Sequence, residues 1–344
     1  MTRLLGALLV SAAVLLPLAL PAGAAEIGLE LNARALLAGN VRPGAWAAVV
    51  VEVVNPGPAV SGELRVRSSQ QGRTQYGVEV ELPSGAHQQH TVYAQPPVFG
   101  SRLHIDLVSA GETLITREVA IKSHDVWSPV IGLVAERPEG IQAGVADVVR
   151  NLGRDAGGQA GVVIPLSVAD LPERVEAWSA IDRLVWQDVH AATMSSTQIE
   201  ALRLWIGAGG RLIVVAGTTG VAPLLGFPED LLPYRPSHTI DIEPGDLSGL
   251  LGQLPTDAVA VPALAGPLDQ GTVLAWNGSD VVAAQVAWGQ GTVTLVGINP
   301  AEHWLADSNA GRTLWRRLLP QATGPAVNPL VMPDDSALVG ALNN

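Results

Sequence analysis

The chain has no cysteine and only one lysine in 344 residues. Without cysteine there is no disulfide, no thiol nucleophile, no thiolate metal site and no lipid-modified N-terminal cysteine. The single lysine, Lys122, stands against nineteen arginines and is not part of a G-x-x-x-x-G-K phosphate loop. No G-x-S-x-G elbow and no H-x-x-x-H pair is present. After the N-terminus no apolar run is long enough to cross a bilayer, because Pro, Gly or Asp interrupts each one. There is no repeat of fixed period and no low-complexity tract. Positive charge is scarce as well: the formal net charge is −12. An acidic chain without a basic stripe argues against nucleic acid and against anionic lipid headgroups.

What is present begins with a leader. Arg3 is a positive n-region, Leu4 to Leu20 an apolar h-region, and Ala22-Gly23-Ala24 a small-residue exit. Pro17 and Pro21 interrupt a helix near that exit, which suits a cleaved signal peptide over residues 1–25 better than the competing reading, an uncleaved anchor. The mature chain is expected to start at Ala25 or Glu26. Cleavage removes Arg3, the only charged residue of the leader, and takes the formal charge from −12 to −13. An exported chain without disulfides depends on its core, and the apolar content of 48% suffices for one.

Residues 26–124 read as an all-β, immunoglobulin-like sandwich. The run Val49–Val54 ends at Asn55-Pro56-Gly57, and short strands follow at Glu63–Arg67, Tyr76–Leu82, His90–Ala94, Arg102–Val108 and Thr113–Ile121. Polar and apolar residues alternate in Val78–Leu82 and Leu103–Leu107. At Ser128-Pro129 the period changes. Val130–Val134 is a strand apolar on both faces, and Ile141, Val145, Val148, Val149 and Leu152 recur at helical spacing. Val162–Leu166, Leu184–Trp186 and Leu212–Ala216 are further strands, and a short helix near Pro172–Trp178 leads to the second of them. Ser195, with Gln198 three residues on, caps the helix that buries Ile199, Leu202, Trp205 and Ile206. This alternation predicts a parallel, doubly wound α/β sheet of flavodoxin-like type over 129–319. The Pro- and Gly-rich stretch 217–270 is irregular, with one short helix near Leu247–Leu254. Thr272–Trp276, Val281–Trp288 and Thr292–Ile298 make an antiparallel meander, and a helix near Ala310–Leu319 closes the unit. Residues 320–344 are an extended tail or linker.

Two stretches carry a family resemblance. Ile181–Asp188, followed by Ser195-x-x-Gln198-x-x-Ala201-Leu202-x-x-Trp205-Ile206-x-x-Gly209-Gly210-x-Leu212-Ile213-Val214, resembles the class I glutamine amidotransferase-like fold. It is most similar to members found in exported bacterial envelope proteins. Gly289-Gln290-Gly291-Thr292-Val293-x-Leu295-Val296-Gly297 resembles their closing strand. In such proteins a β-sandwich often precedes this domain and membrane helices often follow, so the resemblance leaves two expectations: a chain naturally short at Asn344, or one attached to the membrane through sequence beyond it. The family's catalytic Cys and His-x-Glu are missing here, and Ala216-Gly217-Thr218-Thr219-Gly220 fills the turn after the fourth strand.

Loops leaving the carboxyl ends of the strands carry the candidate ligand-binding residues: Asp188 and His190, Thr218 and Thr219, and His303 beside Glu302 and Asp307. A hydroxyl, an imidazole and a carboxylate from these loops would suit a nucleophile, a base and an orienting group. The plainer reading is that the threonines satisfy backbone groups in a turn and the histidines are solvated. Asp188-x-His190 and Glu302-His303 lack the spacing of a metal site. Trp178, Trp186, Trp205, Trp276, Trp288 and Trp315 are expected in the core; Trp46 and Trp304, near loops, are the candidates for stacking on a sugar.

These observations lead to a non-catalytic protein of the cell envelope, at the extracellular face or in the periplasm. It would bind an envelope protein or a cell-surface component. No cofactor, metal or catalytic residue is assigned. The alternative is a hydrolase or small-ligand-binding protein that uses the carboxyl-end loops.

Overall fold

The computed structural model describes residues 28–67, 75–97, 100–155 and 160–319. The signal peptide, mature terminus and tail expected from the sequence lie outside the described residues. Strands β1 (Glu30–Ala35), β2 (Asn40–Val41), β3 (Ala47–Asn55), β4 (Val60–Arg67), β5 (Gln75–Leu82), β6 (Ala86–Ala94), β7 (Arg102–Ser109), β8 (Glu112–Ala120) and β9 (Lys122–Ser123) form the N-terminal unit. β1-β3-β6 is one antiparallel sheet and β5-β4-β7-β8 is another; β2 and β9 pair separately. Period two decides the faces: Leu103, Ile105 and Leu107 of β7 and Leu64 and Val66 of β4 meet Val49, Val51 and Val53 of β3 in one core. β3 is apolar on both faces because its outer side also touches the 3-10 turn Val175–Trp178 of the second unit.

On the solvent side of β7, Asp106 is nearly as buried as the core, with 4% of its side chain exposed. Arg67 grips it with two nitrogens, Nη2 at 3.0 Å, and Thr116 Oγ1 donates to it at 2.7 Å. Burial pushes its carboxyl up, but the hydrogen bonds from Arg67 and Thr116 and the Arg67 charge outweigh that, and the pKa lies below its ordinary value. A depressed carboxyl stabilises the fold above the unfolded value of about 3.9 and loses that contribution as the pH falls through the folded one. Asp106→Asn is therefore expected to lower stability at pH 7 and to flatten its decline below about pH 4. Urea midpoints at pH 7 and pH 3 check this; an equal loss at both would mean the charge on Asp106 is irrelevant.

The second unit contains β10 (Val130–Ala135), α1 (Glu139–Asp155), β11 (Val162–Leu166), β12 (Arg183–Gln187), α2 (Ser196–Gly207), β13 (Arg211–Val215), β14 (His238–Ile242), α3 (Ser248–Leu251), β15 (Val261–Ala265), β16 (Thr272–Asn277), β17 (Asp280–Trp288), β18 (Gly291–Val296), α4 (His303–Ala306) and α5 (Asn309–Leu318). Seven strands make the main sheet in the order β11-β10-β12-β13-β18-β17-β16. The first five run parallel, and β17 and β16 are antiparallel additions. Each face of the sheet has its own core, one around Trp178, Trp186 and Leu202, the other around Ile141, Val145 and Trp315. α2 starts where its cap dictates: Ser195 Oγ accepts from Gln198 N at 3.1 Å, and Gln198 Oε1 accepts from Ser195 N at 3.0 Å.

The expectation of a flavodoxin-like, doubly wound α/β domain is corrected. Strand makes up 42% of the structure and helix 23%, spread over several sheets, so the molecule is a β-rich, multi-sheet fold. Helical periodicity in α1 and α2 suggested regular strand-helix alternation, but that alternation does not continue. The step from β11 to β12 is made by 3-10 turns at Val168–Asp170 and Val175–Trp178. Between β13 and β16 the Pro- and Gly-rich stretch supplies a separate ribbon, β14-β15, 3-10 turns at Ala222–Leu224 and Pro244–Leu247, and the one-turn helix α3.

The two units are tied at a buried junction. Arg42, its side chain 7% exposed, donates to both oxygens of Asp182 at 3.0 and 2.8 Å and to the carbonyl of Ser128 at 3.1 Å. Asp182 Oδ2 also accepts from Val130 N at 2.8 Å. Leu37 and Ala38 both take φ of +52°, a strained region for side-chain-bearing residues, and this turn places Leu37 in the core of the second unit. Ala177 crosses the other way, into the N-terminal core.

Candidate functional site

The parallel strands deliver four loops to one edge of the main sheet. Arg137 follows β10, Asp188 follows β12, Gly217–Thr219 follow β13, and Asn299 follows β18. Beneath them a buried amide forms the floor: Gln187 Nε2 donates to Ala216 O at 3.0 Å and to Asn299 Oδ1 at 2.9 Å. Asn299 Oδ1 also accepts from Ala301 N at 3.0 Å, so the amide ties three strand ends together.

Asp188 is the centre of the cluster. Its φ of +56° is left-handed, a conformation Asp tolerates better than most residues. Its carboxylate accepts from Thr218 N at 2.9 Å, Thr219 N at 3.3 Å and Thr219 Oγ1 at 2.6 Å. Thr218 Oγ1 lies at 3.5 Å from it and accepts from Arg137 Nη2 at 2.6 Å. Gly217 is required for this closure, since a Cβ there would stand 1.9 Å from Asp188 Oδ2. Asp188, Thr218 and Thr219 are thus brought together, and the threonines satisfy the aspartate that holds their own turn.

The two histidines are not brought in. His190 is exposed, and its carbonyl accepts from Thr193 N at 3.0 Å and Thr193 Oγ1 at 2.7 Å. His303 is exposed at the start of α4. Among the described residues no hydrogen bond joins either imidazole to the Asp188 cluster. The Thr219 hydroxyl is bonded to the Asp188 carboxylate and the Thr218 hydroxyl to the Arg137 guanidinium, and together these bonds close the turn. Among the described residues no group of three or more His, Asp or Glu has the geometry to hold a metal.

Two substitutions separate these roles. His303→Ala is expected to change stability by less than about 0.5 kcal/mol, as for an ordinary surface position. Asp188→Ala leaves two backbone N–H groups and a hydroxyl without their acceptor and retains the left-handed φ, so a loss of about 2 kcal/mol is expected. Thermal unfolding of both variants checks the pair, and an Asp188→Ala protein as stable as the parent would remove Asp188 from the centre of the cluster.

Sequence reading missed Arg137, Gln187 and Asn299, whose partners are far away in the chain. It also missed a polar relay away from this edge: Ser237 Oγ lies 3.0 Å from His238 Nδ1, and His238 Nε2 lies 3.3 Å from Asp280 Oδ2. The Ser237 N–H is committed to Ala265 O at 2.9 Å, and the imidazole is 46% exposed. The relay therefore ties β14 to the start of β17 on open surface. A separate open cleft of about 360 Å³ lies between the units, floored by Ala33, Ala35 and Ala38 and rimmed by Arg34, Glu118 and Asp170. Its charges are already paired within the protein, Arg34 with Asp170 at 3.0 Å and Glu118 with Arg102.

The tryptophans depart from expectation. Trp276 is 61% exposed, whereas Trp46 and Trp304 are buried. The register of β16 against β17 shifts between Ala275 and Trp276, and this turns Trp276 outward just before the Asn277-Gly278 turn. Trp46 packs edge-on against Tyr76, ring centroids 5.4 Å apart.

Comparison with known proteins adds a family label and little else. Residues 28–122 match the model of a domain of unknown function, DUF8726. No curated protein matches the chain. Among solved structures, cytoplasmic protein STM1381 from Salmonella typhimurium LT2 is similar at 12% identity with a TM-score of 0.38, over 62% of this chain and 100% of that one. The exo-beta-1,4-mannosidase Op5Man5 from Opitutaceae bacterium strain TAV5 is similar at 14% identity and a TM-score of 0.34, over 56% of this chain and 36% of that one. The CARDB domain of the PF1109 protein from Pyrococcus furiosus is similar at 20% identity and a TM-score of 0.20, over 27% of this chain and 89% of that domain. The N-terminal unit is thus the part of this chain that a family model matches, and that family is one of unknown function.

Proposed function

We propose that this chain is a non-catalytic, exported protein of the cell envelope that works by binding another envelope protein or a cell-surface component. The observation that carries this reading is the closure of the Asp188 cluster. The carboxylate and hydroxyls at the strand ends are taken up in holding their own turn, and among the described residues no hydrogen bond joins His190 or His303 to them. Apolar side chains offer contact area elsewhere on the surface, with Trp276 61% and Leu225 77% exposed. Exposed aromatic side chains are the usual anchors of protein interfaces. The leader at residues 1–25 supports export.

The test has two arms. Purified protein is expected to show no turnover on ester, amide or glycoside panels. A photo-crosslinking residue at position 276 of the full chain is expected to capture a discrete envelope partner in intact cells, and the same residue at buried position 178 is expected to capture none. Turnover abolished by Thr218→Ala in a folded protein would overturn the reading and restore a hydrolase acting at the strand ends.

A further inference from the structure

The ribbon β14-β15 leaves one side of β14 without a strand partner. β14 pairs with β15 in antiparallel register from His238↔Ala265 to Ile242↔Val261, and among the described residues no other strand pairs with it. β15 is anchored on its far side: Leu264 N donates to Gly297 O at 2.7 Å, and Ala263 bridges Ile298. The free edge is therefore held on a fixed support. Ile242 is fully buried and Ile240 packs on the same core, so β14 cannot rotate about its axis. Thr239, Asp241 and the following Glu243 are exposed. An edge of this kind presents a row of main-chain donors and acceptors to an incoming strand.

Charge decides what can pair there. Residues 124–319 hold 21 acidic and 11 basic side chains, whereas residues 26–123 hold 9 and 8. The acidic excess is thus on the unit that carries the edge, and Asp241 and Glu243 lie along it. A second copy of β14 would bring like charges face to face across the new pair, which is unfavourable. We propose that the β14 edge binds an extended segment of a partner protein in which basic side chains alternate with apolar ones. The basic residues would stand on the face of Asp241 and Glu243, and the apolar ones on the face of Ile240 and Ile242. This inference rests on the interaction reading above and specifies the partner's chemistry.

The test uses the full chain and a fluorescently labelled synthetic peptide of alternating lysine and valine, followed by anisotropy at low salt. Binding is expected, and an alternating glutamate–valine peptide is expected not to bind. Asp241→Lys with Glu243→Lys is expected to weaken binding about tenfold, from two reversed cross-strand pairs. Asp241→Asn with Glu243→Gln is expected to give an intermediate loss, and circular dichroism confirms that both variants are folded. Methylating alternate amide nitrogens of the peptide is expected to abolish binding in one of the two alternations, because only one set of N–H groups faces β14. No binding, binding insensitive to methylation in both alternations, or binding unchanged by the β14 variants would each overturn the proposal. Capture from position 276 that persists in the Asp241→Lys/Glu243→Lys protein would show the interaction reading surviving its loss.

Discussion

Replacing Asp182 by alanine is expected to remove about 3–5 kcal/mol of folding stability, because it leaves the buried Arg42 guanidinium without its counter-charge. The Arg42 side chain is 7% exposed and that of Asp182 18%, so water reaches little of the pair. The same substitution strips the acceptor from Val130 N, at the first residue of β10. The surface positions His303 and Glu243 offer no comparable penalty, since water solvates whatever is left there. Urea unfolding of the full chain measures the loss. The double variant Arg42→Met/Asp182→Leu is expected to recover most of it, since a buried ion pair replaced by apolar groups of similar volume is often close to neutral. A single variant within about 1 kcal/mol of the parent would mean that the junction is hydrated and the pair dispensable.

Gly297→Ala is expected to destabilise by about 3 kcal/mol, through overpacking between main chains that cannot move apart. A Cβ at 297 would lie 2.1 Å from Leu264 O, 2.8 Å from the Tyr234 hydroxyl and 2.9 Å from Val282 O. Two of these atoms are backbone, and both belong to the seam where β15 meets the main sheet. Gly297 N donates to Val282 O at 2.7 Å, and Leu264 N donates to Gly297 O at 2.7 Å. The Tyr234 hydroxyl, whose pKa burial pushes far up, closes the seam with a bond to Val282 O at 2.7 Å. Hydrogen exchange at Leu264 and Gly297 is the local readout, and faster exchange there than in β12 is expected. Unchanged protection at both amides would show that the seam absorbs a methyl group.

Legibility in the sequence followed the distance between partners. The capping box of Ser195 and Gln198 could be read because both partners lie within one helical turn. The same holds for the alternation in β7 and the helical spacing of Ile141, Val145 and Val148 in α1. Trp276 was expected in the core as a strand residue, and the register shift that β16 makes against β17 at this point has no mark in the sequence. The flavodoxin-like expectation failed for a related reason: the strand-helix alternation was extended into a rule, whereas the short helix expected near Pro172–Trp178 is only a 3-10 turn and the ribbon between β13 and β16 carries no periodic signal.

The sequence by itself determined where apolar faces lie, where α2 begins, and that thiol chemistry is absent. These depend on residue type and on near neighbours in the chain. Tertiary structure alone decided the chemistry at the strand ends. Asp188 meets Thr218 and Thr219 thirty residues away, and Arg137 meets Thr218 across 81 residues. It also decided that Arg42 is neutralised by Asp182, across 140 residues, and that among the described residues β14 pairs with no strand but β15. Hydrogen bonds and ion pairs act over a few ångströms in space and carry no mark of sequence separation, so only the folded chain shows which groups remain free to act on another molecule.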